Sequence, residues 1–197
     1  MFIFFYNDAN LLDLFESFKK GAQSMSLKDL SQIIAFTSLD KNSIVVEAGL
    51  GSGFSAFFFA RFVKKVISYE VNKKHLKIAK KNIDKSKLKN IFIKEQDIKD
   101  MKEKKVDLLL LDLPNPWDFL FLEKNVKLNN YIVCYVPNLN QVFNVVNSVK
   151  ENKNLFVERI ITSQVIDWIV DDKRMKPFYN LFNYQHTGFM VFIRKIM

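Results

Sequence analysis

Ser43-Ile44-Val45-Val46-Glu47-Ala48-Gly49-Leu50-Gly51-Ser52-Gly53, followed by Phe54-Ser55-Ala56-Phe57-Phe58-Phe59-Ala60, is the stretch whose reading decides the fold. Its first part is short, β-branched and free of turn residues, as a buried parallel strand must be. The glycines then open a tight turn and let the backbone approach a ligand at the start of the apolar run that follows, which reads as a helix. The chain has five glycines, so three within five positions mark this turn as the place where backbone freedom is needed.

Strands and helices alternate downstream. "KVISYE" reads as a strand, "NKKHLKIAKKNIDKSKLKN" as a helix, and "NIFIKEQ" and "VDLLLLD" as strands. A short helix follows Trp117, then "YIVCYV" as a strand and a helix from Leu139 to Glu151, which Asn138 and Gln141 cap and orient. Upstream, Asp8 caps a helix reaching Lys20, and Ser26 with Asp29 opens another that carries Leu30, Ile33, Ile34 and Phe36 on one face. The tail offers "LFVERIITSQVIDWIVDD" and "HTGFMVFIRK", two terminal strands that form an antiparallel edge. The fold class is therefore α/β, a mostly parallel sheet covered by helices on both faces.

The chain's 197 residues suit one domain with a full core. No apolar run approaches the length of a membrane span, and "MFIFFYND" lacks the basic start of a signal peptide, so a cytoplasmic protein is expected. The single Cys134 lies in an apolar run, which excludes a disulfide framework and a cysteine zinc site and predicts burial. A net charge of +9 would attract a polyanion. The densest lysine segment nevertheless reads as the solvated outer face of a helix that buries Leu76, Ala79 and Ile83.

Three strand ends converge on one rim. The first strand brings Glu47 and the loop of Gly49, Gly51, Ser52 and Gly53; the second ends in Glu70, placed to hold a ribose hydroxyl pair; the third ends in Asp97, placed to accept from an adenine amine. Three acids suit a cationic ligand better than a pyrophosphate, which points to S-adenosylmethionine with its sulfonium and ammonium groups. The fourth strand runs into "LLDLPNPW", where two prolines stop the strand and leave a rigid loop presenting Asp112, Asn115 and Trp117. Trp117 reads equally as a stacking face and as a packing plug.

With these residues in hand, the chain resembles the tRNA (adenine-N1)-methyltransferases that modify adenosine 58 of the T-loop, a branch of the class I methyltransferases. The resemblance runs from about Lys20 to the C-terminus. It rests on "GAQSMSLKD", "VVEAGLGSG", "SYEVNKKHLKIAKKN", "LLDLPNPW", "YVPNLNQV" and "QHTGFMVFIRK", in the family's order. It implies a Rossmann-like fold with a seven-stranded sheet and S-adenosylmethionine as cofactor, contacted by Gln23, Glu47, Gly49, Gly51, Ser52, Gly53, Glu70, Asp97 and Asp112. Asp112 is implied as the catalytic carboxylate, and Asn115, Trp117, His186 and Thr187 as substrate contacts. The surface reading of His75 is kept beside a possible cofactor contact.

The partners implied are tRNA and either further copies of the chain, as a dimer or tetramer, or a separate RNA-binding chain. Two departures bear on the substrate. Family members carry a small N-terminal β domain, whereas here residues 1–20 read as a short extension before a methyltransferase domain of residues 21–197. The family's "YPKD" stands as Ser26-Leu27-Lys28-Asp29, without the aromatic. The alternatives are a methyltransferase acting on adenine N6 or a protein amide, and a non-catalytic RNA-binding subunit.

Overall fold

In a computed structural model of the chain, residues 11–19, 21, 24–166, 168–171, 173–177 and 187–197 are described. A seven-stranded sheet organises them. In chain order its strands are β1 (Ile44–Ala48), β2 (Lys65–Tyr69), β3 (Ile91–Lys94), β4 (Val106–Leu111), β5 (Val126–Val136), β6 (Leu155–Ile161) and β9 (Phe189–Lys195). They lie in the order β3-β2-β1-β4-β5-β9-β6. The strands from β3 to β5 pair in parallel, while β9 runs antiparallel to both β5 and β6. The two terminal strands thus meet antiparallel at the sheet's end, as the tail's pattern implies. The long run that begins at Leu155 breaks after Ile161. Its second part forms β7 (Trp168–Asp171), which pairs with β8 (Arg174–Pro177) in a separate two-stranded sheet.

Both faces are covered, and strand alternation divides the core in two. One layer combines Val45, Val66, Leu108, Leu110, Val133 and Phe192 with the helices α2 (Leu27–Thr37), α3 (Phe54–Ala60) and α4 (Lys73–Ser86). The opposite layer sets Val46, Leu109, Leu111, Ile132, Val191 and Ile193 against α5 (Leu139–Lys150) and a 3₁₀ stretch, Pro116–Asn125. Cys134 is wholly buried in this second layer, and burial pushes its thiol up. The apolar stripe of α4 is buried through Leu76, Ala79 and Ile83, as its spacing predicts.

The helix boundaries follow local capping chemistry. Ser26 caps α2 by accepting from the Asp29 N–H, and Asn138 caps α5 by accepting from the Gln141 N–H. Gln141 also donates through Nε2 to the Pro114 carbonyl at 2.8 Å, which fixes the proline loop to the start of α5. α1 (Leu11–Ser17) ends before Lys20, and its supposed cap, Asp8, lies outside the described residues. Among the described residues no helix is long and apolar enough to cross a membrane.

Candidate active site

The carboxyl ends of β1, β2, β3 and β4 share one rim, because those strands are parallel neighbours. At its centre Gly49 has φ +93°, and a Cβ there would stand 2.1 Å from the Asp112 carbonyl oxygen. Only glycine permits that approach. The Gly49 N–H donates to the Tyr69 carbonyl at 3.2 Å and the Asp112 N–H to the Ala48 carbonyl at 3.0 Å, so the glycine turn is bonded to strand ends on both sides.

A cavity of about 280 Å³ opens beside this turn, with Gly49, Glu70, Asp97, Asn115, Asp118 and Phe119 among its walls. Glu70 spans the loop: Oε2 accepts from the Gly51 N–H at 3.2 Å and Oε1 from the Asn72 N–H at 2.8 Å. His75 faces Glu70 at 3.6 Å from the start of α4. Asp97 lines the cavity while capping its own 3₁₀ turn through the Lys99 N–H. Asn115 is exposed on the wall, and no side-chain bond ties it to the 3₁₀ stretch it precedes. Trp117 is half-buried in the α5 layer and does not line the cavity; Phe119 provides the aromatic wall instead.

Two carboxyl groups behind the turn stand apart from the rest. Glu47 is almost fully buried; its Oε1 accepts from the Ser68 hydroxyl at 2.7 Å, and its Oε2 is left without a partner. Burial, opposed by the Ser68 and Ser55 hydroxyls and reinforced least by the charge of Glu70, raises its pKa to about 7. The Asp112 carboxyl faces a small pocket with Ser24, Met25, Gly51 and Ser52. Burial first, and then the charge of Glu47, raises it to about 7 as well. Two raised acids, one with an orphaned oxygen, form a donor set that a cation would relieve. The site therefore fits S-adenosylmethionine, whose positive groups would lower both pKa values on binding.

Ser52 and Gly53 are placed by contacts invisible in the motif itself. Ser52 shares a hydrogen bond with Ser24. The buried Asn82 of α4 donates to the Ser52 carbonyl at 2.9 Å and bonds both backbone groups of Lys19, so α4 holds the glycine loop against the chain ahead of α2. Gly53, with φ +83°, opens α3.

At the end of β5 lies a cluster that sequence reasoning did not single out, and its Tyr135 also feels the charge of Asp112. The Asp29 carboxylate, with no exposed surface, accepts from Ser26 at 2.9 Å, Lys28 at 2.8 Å, Ser163 at 2.6 Å and Tyr135 at 3.0 Å, and also from Thr187. Lys28 in turn donates to the Ser163 carbonyl at 2.7 Å and to the Thr187 hydroxyl at 2.8 Å. Burial works to raise the Asp29 pKa, but the bonds from Lys28, Ser163, Thr187 and Ser26 together hold it below the ordinary value. Gly188 rests on the Tyr135 ring, where a Cβ would come within 2.6 Å of Cζ. The late Thr187-Gly188 pair thus serves this junction. Gln23 and His186 lie outside the described residues.

A model of the family described as tRNA methyltransferase complex GCD14 subunit matches residues 16–176, which include the glycine turn, the proline loop and the Asp29 cluster as far as Ser163. The chain belongs to the GCD14 family. It is 26% identical to the tRNA (adenine(57)-N(1)/adenine(58)-N(1))-methyltransferase TrmI of Methanocaldococcus jannaschii, over 97% of this chain and 78% of that protein. It is 29% identical to the tRNA (adenine(58)-N(1))-methyltransferase TrmI of Thermus thermophilus, over 90% of this chain and 71% of the relative. The crystal structure of the tRNA (m1A58) methyltransferase TrmI of Aquifex aeolicus superposes with a TM-score of 0.87, at 24% identity, covering 96% of this chain and 77% of that one. This GCD14 family member therefore has the Rossmann-like class I methyltransferase fold that its motifs imply.

Proposed function

We infer that the protein is a methyltransferase that makes 1-methyladenosine at position 58 of tRNA, with S-adenosylmethionine as cofactor. Membership of the GCD14 family and the names of two relatives that align with nearly the whole chain support the activity. The single observation that carries the chemistry is Asp112, a carboxyl raised to about 7 beside the glycine turn.

When bound, the cofactor supplies the methyl group. Adenine N1 bears an in-plane lone pair, so its reaction needs alignment and charge balance more than activation. Asp112 would accept from the N6 amine of a flipped adenosine, orienting N1 and balancing the positive charge left on the methylated ring. Glu47, Glu70, Asp97 and the backbone of the Gly49-to-Gly53 turn are the proposed cofactor contacts, with Asn115 on the substrate side. In this reading residues 21–197 form the catalytic unit and act in the cytoplasm, where tRNA is matured. A further copy of the chain, or a separate RNA-binding chain, completes the assembly; the family's description as a complex subunit supports this.

The test is incubation with unmodified tRNA transcript and S-adenosylmethionine, then digestion and nucleoside mass spectrometry, with Asp112→Ala alongside. The expected result is 1-methyladenosine at position 58 that disappears in the variant. A methyl group on N6, or an undiminished yield from the variant, would overturn the reading.

A further inference from the structure

The positive charge of this protein is not spread over its surface. Residues 61–105 hold sixteen Lys and Arg against six Asp and Glu, whereas the rest of the chain holds fourteen against fifteen. The net charge of +9 therefore originates entirely in that segment. A general enrichment in lysine would load every surface alike. In the fold the segment comprises the chain after α3, β2, α4, β3 and the turn toward β4, which is the β3 edge of the sheet; the β6 edge lies opposite.

Within that edge α4 concentrates the charge. Lys73, Lys74, Lys77, Lys80, Lys81 and Lys85 are all exposed, and Leu76, Ala79, Asn82 and Ile83 are buried on the other side. At 100° per residue the six lysines fall within an arc of about 140°, on a helix about 21 Å long. Asp84 is the only acid on the helix. Among the described residues none of the six lysines is in an ion pair, while two acids of the same edge, Asp97 and Glu103, are already paired with Lys99 and Lys94. The stripe begins at Asn72, immediately after Glu70 and Val71 of the cavity wall, so it leads away from the rim that holds Asp112.

We propose that the outer face of α4 is the surface that receives the tRNA phosphate backbone while the target adenosine reaches Asp112. The proposal rests on tRNA being the substrate. Charge complementarity selects the partner: a row of ammonium groups along a helix face, none of them neutralised by an acid among the described residues and only Lys85 engaged, by the Ser17 carbonyl at 3.0 Å, suits the regular anionic charge of a polynucleotide and gains by releasing its counterions.

Two variants of equal charge change provide the test. Lys74→Glu with Lys77→Glu and Lys81→Glu alters the stripe; Lys124→Glu with Lys150→Glu and Lys153→Glu alters exposed lysines elsewhere. Binding of unmodified tRNA is titrated between 50 and 250 mM salt, and cofactor binding and thermal melting are followed in parallel. The stripe variant is expected to weaken tRNA binding by roughly 30-fold or more and to lower the salt slope by about 2 to 3, against about threefold or less for the control. KM for tRNA should rise with kcat at saturating tRNA unchanged. The same three positions changed to Gln repeat the measurement with a milder charge change. Equal weakening in both variants, or in neither, overturns the proposal. If the wild-type protein binds tRNA through the stripe but forms no 1-methyladenosine, the functional reading fails and the surface stands; methylation with an indifferent stripe is the converse.

Discussion

Asp29 and Asp112, which both act on Tyr135, have opposite environments. Asp29 is fully buried and supplied with an ammonium and four hydroxyls, so it remains ionised and ties four separate parts of the chain together. Asp112 is half-buried beside another acid, and among the described residues no side chain donates to it, so its ionised form is disfavoured. A carboxylate whose donors come from its own chain is committed to structure. One held without donors is available to an outside group, and its cost in stability is relieved when that group arrives. The Asp29 cluster holds the Tyr135 hydroxyl, which also feels the charge of Asp112, so the satisfied acid shapes the surroundings of the unsatisfied one.

The contrast can be broken most forcefully at Asp112. Changing Asp112→Asn should lower kcat for tRNA methylation by about 10² to 10³, the range for losing one charged contact with a transition state. The same change should raise the melting temperature by about 3 °C or more at pH 8, because a half-buried charge that lies beside Glu47 is removed. Nucleoside mass spectrometry and calorimetry on one preparation read both effects, and a fall in melting temperature would contradict the contrast. Asp29→Asn should do the reverse. It leaves the Lys28 ammonium without its counter-charge and costs about 2 to 4 kcal/mol of stability, seen as a drop in melting temperature, while S-adenosylmethionine still binds.

The pH dependence separates the two acids in a single protein. Glu47 and Asp112 have pKa values raised to about 7, so the folded state retains protons that the unfolded chain releases near pH 4. Their contribution to stability is full below pH 4 and is lost as the pH rises to about 7. Asp29, whose pKa is lowered, contributes above its unfolded value and loses that contribution as the pH falls through its folded value. Melting between pH 3 and 8 should therefore show a decline from pH 4 to 7 that is reduced in Asp112→Asn. Methylation should rise with pH over a range beginning below 7 when cofactor is saturating, since a bound cation lowers both raised values. The smallest effect is expected at Trp117→Phe. The side chain packs in the α5 layer, so activity should stay within about threefold while stability falls by about 1 kcal/mol. A large loss of activity without loss of stability would restore Trp117 to the substrate side.

The strand ends were legible because they are local. A parallel strand is a short apolar run, and the acid or glycine that follows it lands on the rim wherever the strand sits in the sheet. The rise of the lysine-rich helix, the caps at Ser26 and Asn138, and the burial of Cys134 were legible for the same reason. The β7–β8 pair was not. Val165 and Ile166 are as β-compatible as the strand before them, and the polar Thr162-Ser163-Gln164 after Ile161 is a weak local mark of the break. Trp117 illustrates the limit for a side chain: its position after Pro116 fixed the loop, but its burial depended on α5, which lies more than twenty residues downstream.

Sequence by itself determined the α/β class, the glycine turn, the acids at the strand ends and the proline loop that carries Asp112, since each depends on residues within a few positions of one another. Tertiary structure alone decided which acids are satisfied. Ser26, Lys28, Tyr135, Ser163 and Thr187 reach Asp29 from points up to 158 residues away, whereas among the described residues no side chain donates to the Asp112 carboxyl. The charge state of a buried carboxyl is set by the donors that folding brings to it, and those donors are contributed by distant parts of the chain.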